Sequence, residues 1–107
     1  MEPFYPKLSP IKNPEESFKE VVHHLRNETD AILCLTTSGI PGRNLPIKER
    51  LVSLSLNPEL VSFDAGSMNM GENVFLNPVE FLDALAKETL AKGIKPELEV
   101  FDAGMIY

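Results

Sequence analysis

Apolar residues recur near the start of the chain at the spacing of a helix, and a compact apolar run follows. One stripe, at intervals of three and four residues, consists of Phe18, Val21, Val22 and Leu25. Asn13 before Pro14 is typical of a helix start, because asparagine caps free amide groups and proline suits the first helical position. The pattern predicts a helix over residues 14–27 and then a buried strand over residues 31–35.

A second helix and strand follow in the same order. The helix begins at Pro46 and ends at Asn57, because a residue that precedes proline avoids the helical region. Its apolar face consists of Ile47, Leu51 and Leu54. The compact run Leu60–Asp64 predicts the second strand.

A third unit completes the pattern. Asn77 and Pro78 repeat the cap and proline of a helix start, and Gly93 suits the helix end, where left-handed backbone is common. The buried stripe predicted for this helix is Val79, Leu82, Leu85, Ala86 and Leu90. The third strand is predicted over Leu98–Phe101, and the long connection before the helix is predicted to hold a short strand at Val74–Leu76.

Strands that alternate with helices indicate an α/β fold with a parallel sheet, since parallel strands need crossover connections. Segments 57–66 and 95–104 share the letters PEL and FDAG, so one junction occurs twice, through internal repetition or through common strand-end chemistry. Residues 1–13 contain three prolines and are predicted to form an irregular arm. Residues 14–107 are predicted to form the folded α/β unit.

The composition narrows the class of protein without identifying it. The chain has 107 residues, and 10 lysine and arginine residues against 16 aspartate and glutamate residues give a formal charge of −6. An acidic chain is unsuited to nucleic acid, whose phosphates need clustered cations. No apolar run approaches the ~20 residues of a membrane span, and the first residues do not resemble a secretory signal. With one cysteine, the protein is expected to be cytoplasmic.

Ligands of parallel sheets lie beyond the carboxyl ends of the strands, which is where this sequence places polar residues. The hydroxyl residues Thr36–Ser38 precede Gly39, which lets a backbone approach a ligand. They could hold a carboxylate or phosphate, and they equally fit an ordinary turn. Ser62 and Asp64 are two positions apart on one strand and therefore face the same way. Asp64 and Asp102 could act as acid, base or hydrogen-bond acceptor, or could cap the connections that follow.

Glu99 interrupts the apolar third strand, where a carboxylate is costly unless it is paired or solvated. Either it meets a donor or a wet cavity, or its strand lies at an edge of the sheet with one exposed face. His23 and His24 are helical neighbours about 100° apart, so they are not expected to share a metal. Cys34, without a cysteine or histidine partner, is predicted to be a buried structural residue.

Three stretches together resemble the β-keto acid cleavage enzymes. They are TDAILCLTTSG, ERLVSLSLNPELVSFDAGSMNMGENVFLNP and GIKPELEVFDAGMI, which lie in the family's order and spacing between Pro14 and Ile106. The resemblance implies an enzyme that condenses a β-keto acid with acetyl-CoA to give acetoacetate and a new CoA thioester. The family's founding activity is 3-keto-5-aminohexanoate cleavage in lysine fermentation. The resemblance also implies a homo-oligomer of eight-stranded α/β barrels in which zinc polarises the keto acid.

By this resemblance, five residues contact the substrate or line the barrel. Thr36 and Gly39 match a hydroxyl residue and a glycine at the end of the family's third strand, where both contact substrate. Ser62 matches a hydroxyl position on the fourth strand, also at the substrate. Asp64 stands where many relatives carry asparagine. Glu99 matches a glutamate on the fifth strand and is expected to line the barrel interior.

The same resemblance places the zinc ligands outside this sequence. The family holds zinc with a His-x-His pair after its second strand and a glutamate from its seventh, and this chain has no His-x-His. The chain is therefore expected to be a partial barrel, corresponding to strands three to five and their preceding helices. Three hypotheses follow: part of a β-keto acid cleavage enzyme that is inactive alone, a non-catalytic truncated relative, or a small α/β module that binds carboxylates.

Overall fold

The computed structural model describes residues 14–107, and the predicted arm over residues 1–13 lies outside the described residues. The elements in chain order are α1 Pro14–Glu28, β1 Cys34–Leu35, α2 Ile47–Arg50, a 3-10 helix Val52–Leu56, β2 Leu60–Asp64, β3 Met68–Met70, β4 Asn73–Phe75, α3 Val79–Lys92, β5 Lys95–Glu99 and a 3-10 helix Ala103–Met105. Within the described residues, none of the helices has the length and hydropathy needed to span a membrane.

Strands β1, β2 and β5 form a parallel sheet in the order β1-β2-β5. The chain leaves each strand, passes through helix and returns to the next strand, as the alternating pattern predicted. The α/β class with a parallel sheet of three helix–strand units is therefore confirmed. In the register of the sheet, Cys34 lies opposite Leu60, and Asp64 lies opposite Glu99.

The helices cover one face of this sheet and bury its apolar side chains. A central cluster, which joins α3 and the 3-10 helix to β2, consists of Leu54, Val61, Phe81, Leu85 and Ile94. A second cluster, between α1 and β1, consists of Val22, Leu33 and Leu35. Because side chains alternate along a strand, Leu33 and Leu35 turn Cys34 toward the opposite face. Cys34 is therefore exposed, and its prediction as a buried residue was wrong.

Two strands differ in extent from the prediction because pairing, rather than apolar character, sets their ends. β1 pairs only at Cys34 and Leu35, because Cys34 lies opposite Leu60, the first residue of β2, and the residues before Cys34 have no opposite residue in that strand. Residues 31–33, which the apolar run included, therefore precede the sheet. β5 was predicted over residues 98–101 but pairs over Lys95–Glu99, and the chain beyond it has passed the end of β2.

The second helix is interrupted, although it ends close to the predicted residue. It changes from α-helix to 3-10 helix at Val52, and Asn57 closes it with a left-handed backbone at φ 51°. The hydroxyl of Ser53 donates to the carbonyl of Thr36 at 2.9 Å, and that of Ser55 donates to the carbonyl of Val52 at 2.8 Å. The Ser55 hydroxyl, bonded to a carbonyl three residues earlier, competes in this way with the hydrogen bonds of a regular helix, whereas the Ser53 hydroxyl joins the helix to the loop after β1.

The long connection after β2 contains a hairpin rather than the single short strand predicted there. β3 and β4 pair antiparallel, with Met70 opposite Asn73. Gly71, at φ 61°, supplies the left-handed backbone that this tight turn requires. The carbonyl of Val74 accepts a hydrogen bond from the amide of Gly42 at 3.0 Å, so the hairpin is joined to the loop that follows β1.

Candidate functional site

The face of the sheet opposite the helices carries polar side chains at the carboxyl ends of the strands. Residues that are opposite each other in a parallel register point to the same side. This pairing places Ser62 beside Glu97, and Asp64 beside Glu99. The strand ends therefore present one polar surface, here called the strand-end surface, formed by Ser62, Asp64, Glu97, Glu99 and the loop of residues 36–39.

The loop after β1 is held to β2 by Thr37 rather than by Thr36. Thr37 is 2% exposed, and its amide donates to the Ser62 hydroxyl at 2.8 Å. Its own hydroxyl donates to the Ser62 carbonyl at 2.8 Å. Thr36, which the family resemblance singled out, is exposed and accepts a hydrogen bond from the Ser38 amide at 3.0 Å. Thr37 thus has the structural role, and the Thr36 side chain remains accessible from solvent.

Asp64 joins this loop to the last strand of the sheet. It is 5% exposed and accepts a hydrogen bond from the Ser38 hydroxyl at 3.2 Å. The charge of Asp64 raises the pKa of Glu99, and burial, a hydrogen bond between the two carboxyl groups and the charge of Glu97 act in the same direction. Glu99 consequently retains its proton to higher pH than an isolated glutamate.

Arg50, at the end of α2, lies behind the strand-end surface and was not among the predicted site residues. It is 7% exposed. Its Nε donates to the Thr37 carbonyl at 3.1 Å, and its Nη1 donates to the Leu76 carbonyl at 2.8 Å. Burial lowers the pKa of Arg50, and the charge of Asp64 partly opposes that effect. One sequence signal points to this residue: Arg50 is three positions after Ile47, on the apolar face of the helix.

Asn77 does not have the role that the sequence predicted for it. It was predicted to cap α3, but Pro78 occupies the cap position without a side-chain hydrogen bond. The Asn77 side chain instead accepts a hydrogen bond from Arg50 Nη2 at 2.6 Å and donates to the Gly66 carbonyl at 3.0 Å. The Asn77 amide donates to the Ser67 hydroxyl at 2.8 Å. Asn77 therefore connects Arg50 to the loop that follows β2.

Gly39 lies where the loop after β1 passes Arg50. A Cβ atom at this position would lie 3.4 Å from both Cζ and Nε of Arg50, in van der Waals contact with a buried group. The backbone of this loop therefore runs close to the Arg50 guanidinium.

The remaining candidates lie apart from this arrangement or contribute indirectly. The Cys34 thiol donates to Glu97 Oε2 at 3.3 Å, and burial together with Glu97 raises its pKa, so it stays protonated. Asp102 is exposed beyond β5, and His23 and His24 are exposed on α1. Among residues 14–107, no group of three histidine, cysteine, aspartate or glutamate side chains could hold a metal ion.

This fold and site define an α/β protein with a polar surface at the carboxyl ends of a parallel sheet. A sequence profile of the β-keto acid cleavage enzymes matches residues 9–107. The chain therefore belongs to the β-keto acid cleavage enzyme family.

Characterised relatives agree with this assignment. The chain is 36% identical over 99 residues to the 3-oxoadipate:acetyl-CoA acetyltransferase of Cupriavidus necator, which covers 92% of this chain and 34% of the relative. It is 34% identical over 94 residues to the 3-keto-5-aminohexanoate cleavage enzyme of Fusobacterium nucleatum and 36% identical over 94 residues to that of Acetoanaerobium sticklandii. Each of these matches covers 86% of this chain and 34% of the relative. The chain thus spans about a third of the length of these relatives.

Proposed function

We propose that this chain supplies the substrate-contacting strand ends of a β-keto acid cleavage enzyme. The observation that carries the proposal is the convergence of Ser62, Asp64 and Glu99 with the loop of residues 36–39 at one end of the sheet. The reaction proposed is the condensation of a β-keto acid with acetyl-CoA to acetoacetate and a new CoA thioester. The Cupriavidus necator relative is named for acetyl-CoA, and the names of all three relatives contain a 3-oxo or 3-keto compound.

Five residues of the surface have proposed roles that fit their surroundings. The exposed Thr36 hydroxyl and the backbone of Gly39 contact the keto acid. The Ser62 hydroxyl accepts the Thr37 amide and can donate its own proton to a substrate oxygen. Asp64 raises the pKa of Glu99, and when Glu99 holds its proton the pair can both donate and accept hydrogen bonds.

Zinc, which the family resemblance implies, has no ligand set in the part of the chain that the structure describes. The residues of the strand-end surface therefore do not fit a zinc site, and their proposed roles involve no metal. We propose that the isolated chain does not catalyse the cleavage, because these residues do not provide the electrophile that polarises the keto group.

The carboxylate-binding module would use the same surface. The match to the β-keto acid cleavage enzymes over residues 9–107 supports the keto-acid reaction rather than carboxylate binding alone. A non-catalytic relative remains as an outcome of the experiment below.

The first experiment uses the purified chain with Zn²⁺, acetyl-CoA and, in turn, 3-oxoadipate and 3-keto-5-aminohexanoate. We expect no acetoacetate above a control without protein. Acetoacetate formation would show that the proposed inactivity of the isolated chain is wrong.

The second experiment tests the role of the surface in a complete enzyme. In an exchange protein, residues 14–107 replace the matching segment of the Acetoanaerobium sticklandii enzyme, and we expect cleavage activity to be retained. Ser62→Ala should lower kcat/KM about 10-fold or more, because it removes a donor at the reacting group. Ser55→Ala, which removes an exposed hydroxyl bonded only to the Val52 carbonyl, is the control. A folded but inactive exchange protein would instead favour the non-catalytic relative.

A further inference from the structure

We propose that Arg50 is a positioning residue that holds the loops of the strand-end surface in one arrangement from behind. It would fix the loop after β1 directly, and the loop after β2 through Asn77. The inference rests on the proposed function, because this arrangement affects a reaction only if the strand ends contact a substrate.

The guanidinium of Arg50 uses three different nitrogen atoms on three different acceptors. Nε reaches the Thr37 carbonyl at 3.1 Å, Nη1 the Leu76 carbonyl at 2.8 Å, and Nη2 the Asn77 side chain at 2.6 Å. These acceptors lie in the loop after β1 and in the segment between β4 and α3. A lysine could not replace this contact, since its donors radiate from a single atom whereas arginine offers a rigid planar fork.

Asn77 extends the same network to the remaining loop. Its side chain donates to the Gly66 carbonyl at 3.0 Å, and its amide donates to the Ser67 hydroxyl at 2.8 Å. Gly66 and Ser67 lie two and three residues after Asp64, the last residue of β2. Gly66 is therefore linked to Arg50 by two successive hydrogen bonds through the Asn77 side chain.

Packing also restricts the guanidinium to one position. The ring of Phe81 lies 3.6 Å from Cζ of Arg50, measured to the ring centroid. Gly39 passes so closely that even a Cβ atom there would contact the guanidinium. Arg50 is thus fixed by α3 and by the loop that it holds.

The need to fill space in the core does not by itself explain why the charged guanidinium of Arg50 is buried. The hydrogen-bond acceptors of Arg50 among the described residues are neutral oxygens, and burial lowers the pKa of the guanidinium. An apolar side chain of similar size would fill the same space without the cost of desolvating a charge. What such a side chain could not provide is the directed contact with three separate acceptors.

Amide hydrogen exchange of the full 107-residue chain tests the positional role. In Arg50→Lys and Arg50→Met, we expect the amides of Thr37 and Asn77 to exchange about 10-fold faster or more. The amides of Val61 and Phe63, inside β2, should change by less than about 3-fold, since they report the stability of the sheet. Equal acceleration of all four amides, or no acceleration of any, would overturn the proposal.

Two further variants complete the hydrogen-exchange test: one is a control, and the other removes a different member of the network. Arg26→Met removes an arginine from the opposite end of the sheet, where it bonds Glu59, and should leave the Thr37 and Asn77 amides unchanged. Asn77→Ala preserves the charge of Arg50 and removes the side-chain hydrogen bonds of Asn77 with Arg50 Nη2 and with the Gly66 carbonyl. It should accelerate exchange in the loop after β2 even if Arg50→Met does not fold.

The exchange protein gives a second, kinetic measurement. We expect Arg50→Lys to lower kcat by about 10- to 100-fold, the scale expected for small displacements of positioning groups, with KM changed by less than about 3-fold. Unchanged kcat would contradict the inference. If the parent exchange protein is inactive, the proposed function fails, whereas the hydrogen-exchange result still decides whether Arg50 orders the loops.

Discussion

Neighbouring residues at the strand ends have different roles because alternate side chains reach different surroundings. Thr37 is buried and joins two strands, whereas Thr36 is exposed, although a hydroxyl motif does not distinguish them. Asp64 and Glu99 come together from strands 35 positions apart in sequence, at opposite positions in the register. The pairing of these two carboxyl groups raises the pKa of Glu99, so the stability of the folded chain depends on pH at this point.

The direction of the pKa shift of Glu99 determines whether the stability of the folded chain rises or falls with pH. The pKa of Glu99 is higher in the folded chain than its ordinary value, chiefly because of the charge of Asp64. The stabilisation that Glu99 contributes is therefore complete below its unfolded pKa and is lost as the pH rises through the folded pKa. Glu59 has the opposite sign, because hydrogen bonds from the Leu33 amide and from Arg26 lower its pKa.

We expect Glu99→Gln to stabilise the folded chain at neutral pH, by no more than about 1 kcal/mol, because Glu99 is exposed and its charge is screened by solvent. The difference should shrink as the pH falls toward 4.5, the ordinary pKa of glutamate, because the raised pKa lets Glu99 take up its proton before that pH is reached. Urea unfolding between pH 4 and 8 would measure it. Glu72→Gln, on the exposed β3–β4 turn, is the control. If the free energies of unfolding of the parent chain and of Glu99→Gln changed in parallel with pH, the expected sign of the pH dependence would be wrong.

At the scale of elements, α3 shows how much of a helix face the sheet buries. The stripe predicted as buried included Leu85 and Leu90, yet Leu85 is 0% and Leu90 is 86% exposed. Val79 and Ala86, predicted in the same stripe, are exposed as well. The helix contacts β2 and β5 along a narrow line, and Leu90 faces a groove beyond that line.

Leu85→Ala should lower the free energy of unfolding by about 2–5 kcal/mol, since it leaves a cavity in a packed cluster. Leu90→Ala makes the same chemical change on the same helix and should alter the free energy of unfolding by less than about 0.5 kcal/mol, because Leu90 is exposed. Denaturant titration of both variants would measure this contrast. Equal losses would mean that Leu90 is covered in solution.

At the scale of the whole molecule, the described residues leave an apolar groove beside β5. The groove has a volume of about 460 Å³, and Leu98, 65% exposed, lies along it with Phe63 and Pro96. β5 is also an edge of the three-stranded sheet. Open edges with exposed apolar side chains favour association between chains.

We therefore expect the purified chain to self-associate as its concentration rises. Sedimentation velocity should show an increasing weight-average mass, and Leu98→Glu should reduce it by introducing a charge into the groove. Val21→Glu, an equal charge change on an exposed part of α1, should reduce it less. A single monomer boundary at high concentration would contradict this expectation.

The positions of the helices, the parallel pairing of the strands and the polar character of the strand ends were predictable from the sequence. Periodicity reports which face of an element is buried, and alternation of helix and strand leaves few topologies. Only the packed fold shows that Arg50 and Asn77 connect the loops, that Thr37 is the buried threonine, and that Asp64 lies beside Glu99. These contacts depend on strand register and on helix placement across long crossovers, and local patterns carry no information about either.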